Sequence, residues 1–153
     1  MATRSTIAVQ HADGTVSQVY CHWDGYLSHN GKLLNDHYNS LEKAEALVAL
    51  GSISSLSREI GEQHPFDNPH PYNTPAYHEH RAKYEHMTLY YGRDRGEDDT
   101  GPDKFWNFEM YRMTAQREEF NYIFREGQWY VEGYDGFMSL SKAFELEAAD
   151  HDE

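Results

Sequence analysis

Ile7 and Val9 alternate with their neighbours near the start of the chain, an Asp13-Gly14 pair follows, and Val19, Cys21 and Trp23 alternate on its far side. Period-two alternation on both flanks of an Asp-Gly pair predicts a β-hairpin, because that dipeptide accepts the positive φ angles of a tight turn. The same signature returns late in the chain. Phe120, Tyr122 and Phe124 alternate, Glu126-Gly127 interrupts them, and Trp129 and Val131 continue on the return arm.

Between the hairpins the apolar period changes to that of a helix. Leu41, Ala44, Leu47 and Val48 make one stripe, Ser40 is placed to cap it and Gly51 to end it. A shorter helical turn is expected around Lys32 to His37. Thr74 and Pro75 suit a helix start, and Tyr77, Arg81, Tyr84, Met87 and Tyr91 then keep helical spacing, which predicts a helix over about 75–90. Phe105 to Met113 reads as an aromatic strand. Ser139 or Ser141 caps a last short helix. The stretch from His64 to Pro75 holds four of the five prolines, which excludes regular helix and central strand there.

These elements predict an α+β domain over 1–149: an antiparallel sheet of four to five strands, built from the two hairpins and packed by two or three helices. Residues 150–153 are expected as a frayed acidic tail. Two near-identical phrases, "WDGYLS" from Trp23 and "YDGFMS" from Tyr134, each follow a hairpin. They read as matching strand-to-helix turns at Asp24-Gly25 and Asp135-Gly136, arising from duplication of a ββα unit or from chance.

Aromatic residues make up 14% of the chain, so large rings supply burial that a mean hydropathy of -0.88 would seem to deny. No apolar run approaches the ~18 residues of a membrane span, and the N-terminus lacks the layout of a secretory signal. One cysteine, Cys21, makes no intramolecular disulfide, in keeping with a reducing, cytoplasmic setting.

The formal charge of -13 is unevenly spread. Asp94 to Asp103 holds five acids and one base, and Ala143 to Glu153 holds five acids and no base. Direct binding to nucleic acid is therefore disfavoured, because phosphate recognition depends on clustered Lys and Arg. A basic protein partner fits instead. The expected contact residues are Glu97, Asp98, Asp99 and Asp103 in the acidic run, with Tyr20, His22 and Asp24, which a strand would place on one side.

Other candidate chemistry is thinner. Cys21 and His22 are consecutive, so a strand points them to opposite faces. The two imidazoles of His78-Glu79-His80 would lie about 200° apart on a helix and cannot share one ion. His64, His70 and His86 add ligand types without metal-site spacing, so no metal and no cofactor is expected. No dinucleotide, P-loop, nucleophile-elbow or kinase motif is present.

The runs "RSTIAVQHADGTVSQVYCHWDGYLSHNGKLL", "HPFDNPH", "YGRDRGE" and "FNYIFREGQWYV" resemble a family of small acidic accessory proteins encoded by bacteriophages and prophages. The resemblance covers nearly the whole chain and carries no biochemical motif. It implies a host-interaction protein, such as an anti-CRISPR or anti-restriction inhibitor, acting on a basic or nucleic-acid-binding defence protein as a monomer or homodimer. Two alternatives stand beside it: a small enzyme using some of His22, Asp24, His78 or His80, and a homodimeric phage assembly module.

Overall fold

The computed structural model describes residues 3–151. Strands β1 (Ser5–Gln10) and β2 (Val16–Trp23) form the first hairpin, with Ile7 opposite Val19 and Ser5 opposite Cys21. Its turn is closed by Asp13, whose Oδ1 accepts from the Thr15 amide and hydroxyl. The chain then makes a π-helical turn at Leu27–Gly31 and two helices, α1 (Lys32–His37) and α2 (Leu41–Ala49), before β3 (Ile53–Ser55) returns parallel to β2. Helix α3 (Pro75–Tyr84) precedes the short strands β4 (Leu89–Tyr90) and β5 (Asp103–Phe105). Helix α4 (Phe108–Thr114) leads to the second hairpin, β6 (Phe120–Arg125) and β7 (Gln128–Gly133), then to β8 (Gly136–Ser139) and α5 (Leu140–His151).

All eight strands belong to one open sheet, in the order β4-β3-β2-β1-β6-β7-β8, with β5 also laid against β2. The expected antiparallel sheet of two hairpins, four to five strands and two or three helices is thereby corrected to an α+β fold with one mixed eight-stranded sheet and five α-helices among the described residues. The reason lies in how the hairpins meet. β1 pairs in parallel with β6, aligning Ile7 with Tyr122 and Val9 with Phe124, so β1 is a central strand buried on both faces from Ser5 to Val9.

Both faces of the sheet are covered. On one, Ile7, Val9, Val19, Tyr122, Phe124 and Trp129 pack under Leu34, Ala44, Leu47, Val48 and Leu140 from the helices. Burying each such Leu or Val contributes about 1.5–3 kcal/mol. On this face Trp129 and Tyr122 keep their polar ends paired: Trp129 Nε1 donates to Tyr38 O at 3.0 Å, and Tyr122 Oη to Gly25 O at 2.6 Å. On the other face a smaller core joins Ala8, Val16 and Ile123 to Tyr111 of α4.

Three local expectations change. The aromatic stretch Phe105–Met113 is mostly helix, because Asn107 caps α4 by accepting from the Met110 amide at 2.8 Å, and Phe108 and Tyr111 face inward one turn apart. The helix expected to reach residue 90 ends at Tyr84, and its continuation supplies β4. Asp135-Gly136 is a hairpin turn between β7 and β8, with Gly133 opposite Gly136, whereas Asp24-Gly25 does lead into helical structure. The two look-alike phrases therefore do different work. Helix α5 is helical to His151, and the last two positions of the expected frayed tail lie outside the described residues.

Candidate functional site

The outer edge of β2 is divided between two partners. β5 pairs with Val16 to Gln18, and β3 pairs with Cys21 and Trp23, which leaves a notch at Val19 and Tyr20. A polar cleft of about 180 Å³ opens there, lined by Thr6, Gln18, Tyr20, Asp99, Asp103 and Glu118 among others.

Each lining residue is fixed by its backbone. Asp103 lies opposite Gln18 in the β2–β5 ladder, and cross-strand partners share a face. Thr6 lies opposite Tyr20 on β1, which puts it on that face too. The loop carrying Asp99 is seated by a hydrogen bond from the Ser52 amide to Thr100 O at 2.7 Å, just beyond the end of α2. Glu118 is held by buried Asn121, whose Oδ1 accepts from the Glu118 amide and whose Nδ2 donates to Glu118 O, both at 2.9 Å. Thr6 Oγ1 in turn donates to Asn121 Oδ1.

Two features make the cleft electron-rich. Among the described residues, Asp99, Asp103 and Glu118 are absent from every ion pair. Gln18 is buried, and its Oε1 has no hydrogen-bond partner. The amide cannot relieve this by turning over, since Nε2 donates to Gln116 O at 3.2 Å and a flip would set two oxygens against each other. A buried unpaired acceptor costs about 1–3 kcal/mol.

Burial pushes the Tyr20 phenol above its usual range, Tyr91 and Glu118 add to the shift, and the Arg4 charge opposes it. The phenol therefore stays protonated, and its Oη shares a hydrogen bond with His22 Nδ1 at 2.6 Å. His22 stands edge-on to Trp23, with ring centres 4.7 Å apart, so Tyr20 links the cleft to an aromatic rim.

The expected contact residues are thus only partly assembled. Tyr20, Asp99 and Asp103 line the cleft and His22 adjoins it through Tyr20. Glu97 and Asp98 are exposed in the loop, Glu97 beside Arg95 at 3.6 Å. Asp24 lies beyond β2 and anchors the π-helical turn, its carbonyl accepting from the Asn30 amide and His29 Nδ1. Gln18 and Glu118 escape the sequence reading because one looks like any polar strand residue and the other lies 15 residues from Asp103. Asp94, counted in the acidic run, has a buried side chain that is structural: its carboxylate accepts from Arg93 and from the Tyr90 and His64 amides.

The histidines proposed for an enzyme do not converge. His78 is tied to Asn73 at 2.8 Å, while His80 lines a separate cleft with His64 and Tyr84. Among the described residues no group of three His, Cys, Asp or Glu is arranged to hold a metal ion, and no helix is long and apolar enough to cross a membrane. Compared with protein families, with curated proteins and with solved structures, the chain matches none.

Proposed function

We propose that the protein is a host-interaction protein that binds a basic, nucleic-acid-handling defence protein in the bacterial cytoplasm and blocks it, in the manner of an anti-CRISPR or anti-restriction inhibitor. The observation that carries the binding part is the meeting of Asp99, Asp103, Glu118 and the orphaned Gln18 Oε1 in one cleft. A surface that binds nucleic acid is rich in Lys and Arg. An Arg or Lys from such a surface, placed in the notch, gains ion pairs to the carboxylates and a hydrogen bond to Gln18 while being withdrawn from phosphate. The net charge of -13 adds attraction at long range. The resemblance to phage-encoded acidic proteins supports the defence context.

The test is affinity capture from a bacterial lysate with wild-type protein and with Asp99→Asn/Asp103→Asn/Glu118→Gln. The reading expects a nucleic-acid-binding protein that is retained by wild type, released by salt, lost with the variant, and unable to bind nucleic acid while complexed. Equal retention by the variant removes the cleft from the account. Captured proteins that keep full nucleic-acid binding remove the inhibitor reading.

A further inference from the structure

The β2–β5 ladder sends Gln18 and Asp103 to the face of the acidic cleft, and sends the adjacent pair, Ser17 and Lys104, to the opposite face. There Ser17 meets two groups from other elements. His11, first in the β1–β2 turn, places Nε2 2.8 Å from Ser17 Oγ and Nδ1 2.5 Å from Glu45 Oε2 of α2. The three residues line a cleft of about 840 Å³, the size of a small-molecule site, whose walls include Val16, Phe105 and Trp106.

With the imidazole neutral, the hydrogen-bond chemistry has one direction. An ionised Glu45 only accepts, so Nδ1 carries the imidazole proton and donates to it; Nε2 is then the acceptor, and the Ser17 hydroxyl donates. This is the arrangement that activates a hydroxyl nucleophile: a base within hydrogen-bond reach, oriented by a third group. It is recognised by geometry and roles rather than by order in the chain. Ser17 is only 6% exposed yet lines the cleft, and the turn that carries His11 is pinned by the His11 amide donating to Thr15 O at 2.8 Å. Lys104 lies directly opposite Ser17 in the ladder, so its ammonium can reach the space over Oγ.

We propose that Ser17, His11 and Glu45 form an acyl-transfer site that hydrolyses carboxylic esters with an apolar part, a function independent of the acidic cleft. Ser17 Oγ attacks the ester carbonyl carbon while its proton passes to His11 Nε2. The carbonyl electron pair moves onto oxygen, where the Lys104 charge stabilises it. Collapse breaks the bond to the alkoxy oxygen, which leaves as alcohol with the proton from Nε2. Water then attacks the acyl-Ser17, His11 takes its proton and returns it to Oγ, and the carboxylic acid departs. Ser17, His11 and Lys104 act on reacting atoms; Glu45 is a positioning residue. The exposed ring of Trp106 at the edge of the cleft offers a surface for the apolar part of the ester, while Phe105 packs on Tyr111 on the other face of the sheet.

Two measurements decide it. A fluorophosphonate probe is incubated with the full chain and the adduct is mapped by peptide mass analysis. Hydrolysis of p-nitrophenyl butyrate is followed in wild type, Ser17→Ala, His11→Gln and Glu45→Gln, with urea unfolding run on each. The proposal expects the adduct on Ser17 and a loss of about a hundredfold or more in kcat for Ser17→Ala and His11→Gln. Glu45→Gln should lower kcat with KM kept, and Glu45→Asp should recover part of it. No adduct, an adduct elsewhere, or a wild-type rate equal to that of folded Ser17→Ala overturns it.

Discussion

Gly51 joins the end of α2 to the wall of the acidic cleft, and replacing it with alanine separates two costs. Its φ is +94°, in the region that favours glycine, and a Cβ there would run into the carbonyl of Thr100. That carbonyl accepts from the Ser52 amide and seats the loop bearing Asp99 and Asp103. Left-handed backbone costs a non-glycine residue about 1–2 kcal/mol. Displacing Thr100 adds the loss of its hydrogen bond, about 0.5–1.5 kcal/mol. Gly51→Ala should therefore cost about 1.5–3.5 kcal/mol, or about 3–14 °C in Tm for a domain of this size. Gly14→Ala is the control: φ is +90° but a Cβ meets nothing within 4 Å, so only the backbone cost of about 1–2 kcal/mol applies. Urea unfolding followed by tryptophan fluorescence measures both. Equal losses in the two variants would refute the claim that the acidic loop is braced against the end of α2.

Tyr90 Oη donates at 2.6 Å to Leu47 O, one of the last carbonyls of α2, so Tyr90→Phe strands a buried acceptor and should cost about 1–3 kcal/mol by denaturant titration, while Tyr134→Phe at a fully exposed site changes nothing. Burial pushes Tyr38 up to about 12 and raises Tyr90, Tyr111 and Tyr122 as well. A folded value above the usual 10.0 means that their contribution to stability is complete below pH 10 and is lost as pH rises toward 12. Absorbance titration should show these four tyrosines ionising only with unfolding; ionisation of all twelve tyrosines near pH 10 in the folded protein would contradict this. Burial also pushes the Cys21 thiol up to about 12, so iodoacetamide at pH 8 should label it only in denaturant, and rapid labelling of folded protein would show the site to be open.

The local grammar of the chain was readable, and its long-range pairing was not. Asp13-Gly14 and Glu126-Gly127 announce their hairpins because few residues tolerate such φ angles, and Ser40 announces α2 through its bond from the Lys43 amide. Nothing local distinguishes Phe108–Thr114 as helix, since aromatic density there mimics a strand until Asn107 is seen capping it. The parallel union of β1 with β6 depends on residues more than a hundred positions apart, and it turns two separate hairpins into one sheet. The same limit applies to the site. Charge flagged Asp99 and Asp103, but only the division of the β2 edge between β3 and β5 makes a cleft of them, and Glu118 and Gln18 join solely through tertiary pairing. His11, Ser17 and Glu45 each look ordinary in sequence and meet only because α2 packs over the first hairpin.

The central claim is that the β2 notch binds a cationic side chain of a basic partner. Its direct test is calorimetric titration of the captured defence protein with wild type and with Asp99→Asn/Asp103→Asn/Glu118→Gln, paired with NMR of the Gln18 side-chain amide. The account predicts a loss of affinity of at least about tenfold, the sum of three partly screened charge contacts, and a shift of the Gln18 amide signal on binding by wild type alone. Unchanged affinity together with an unmoved Gln18 signal would contradict it.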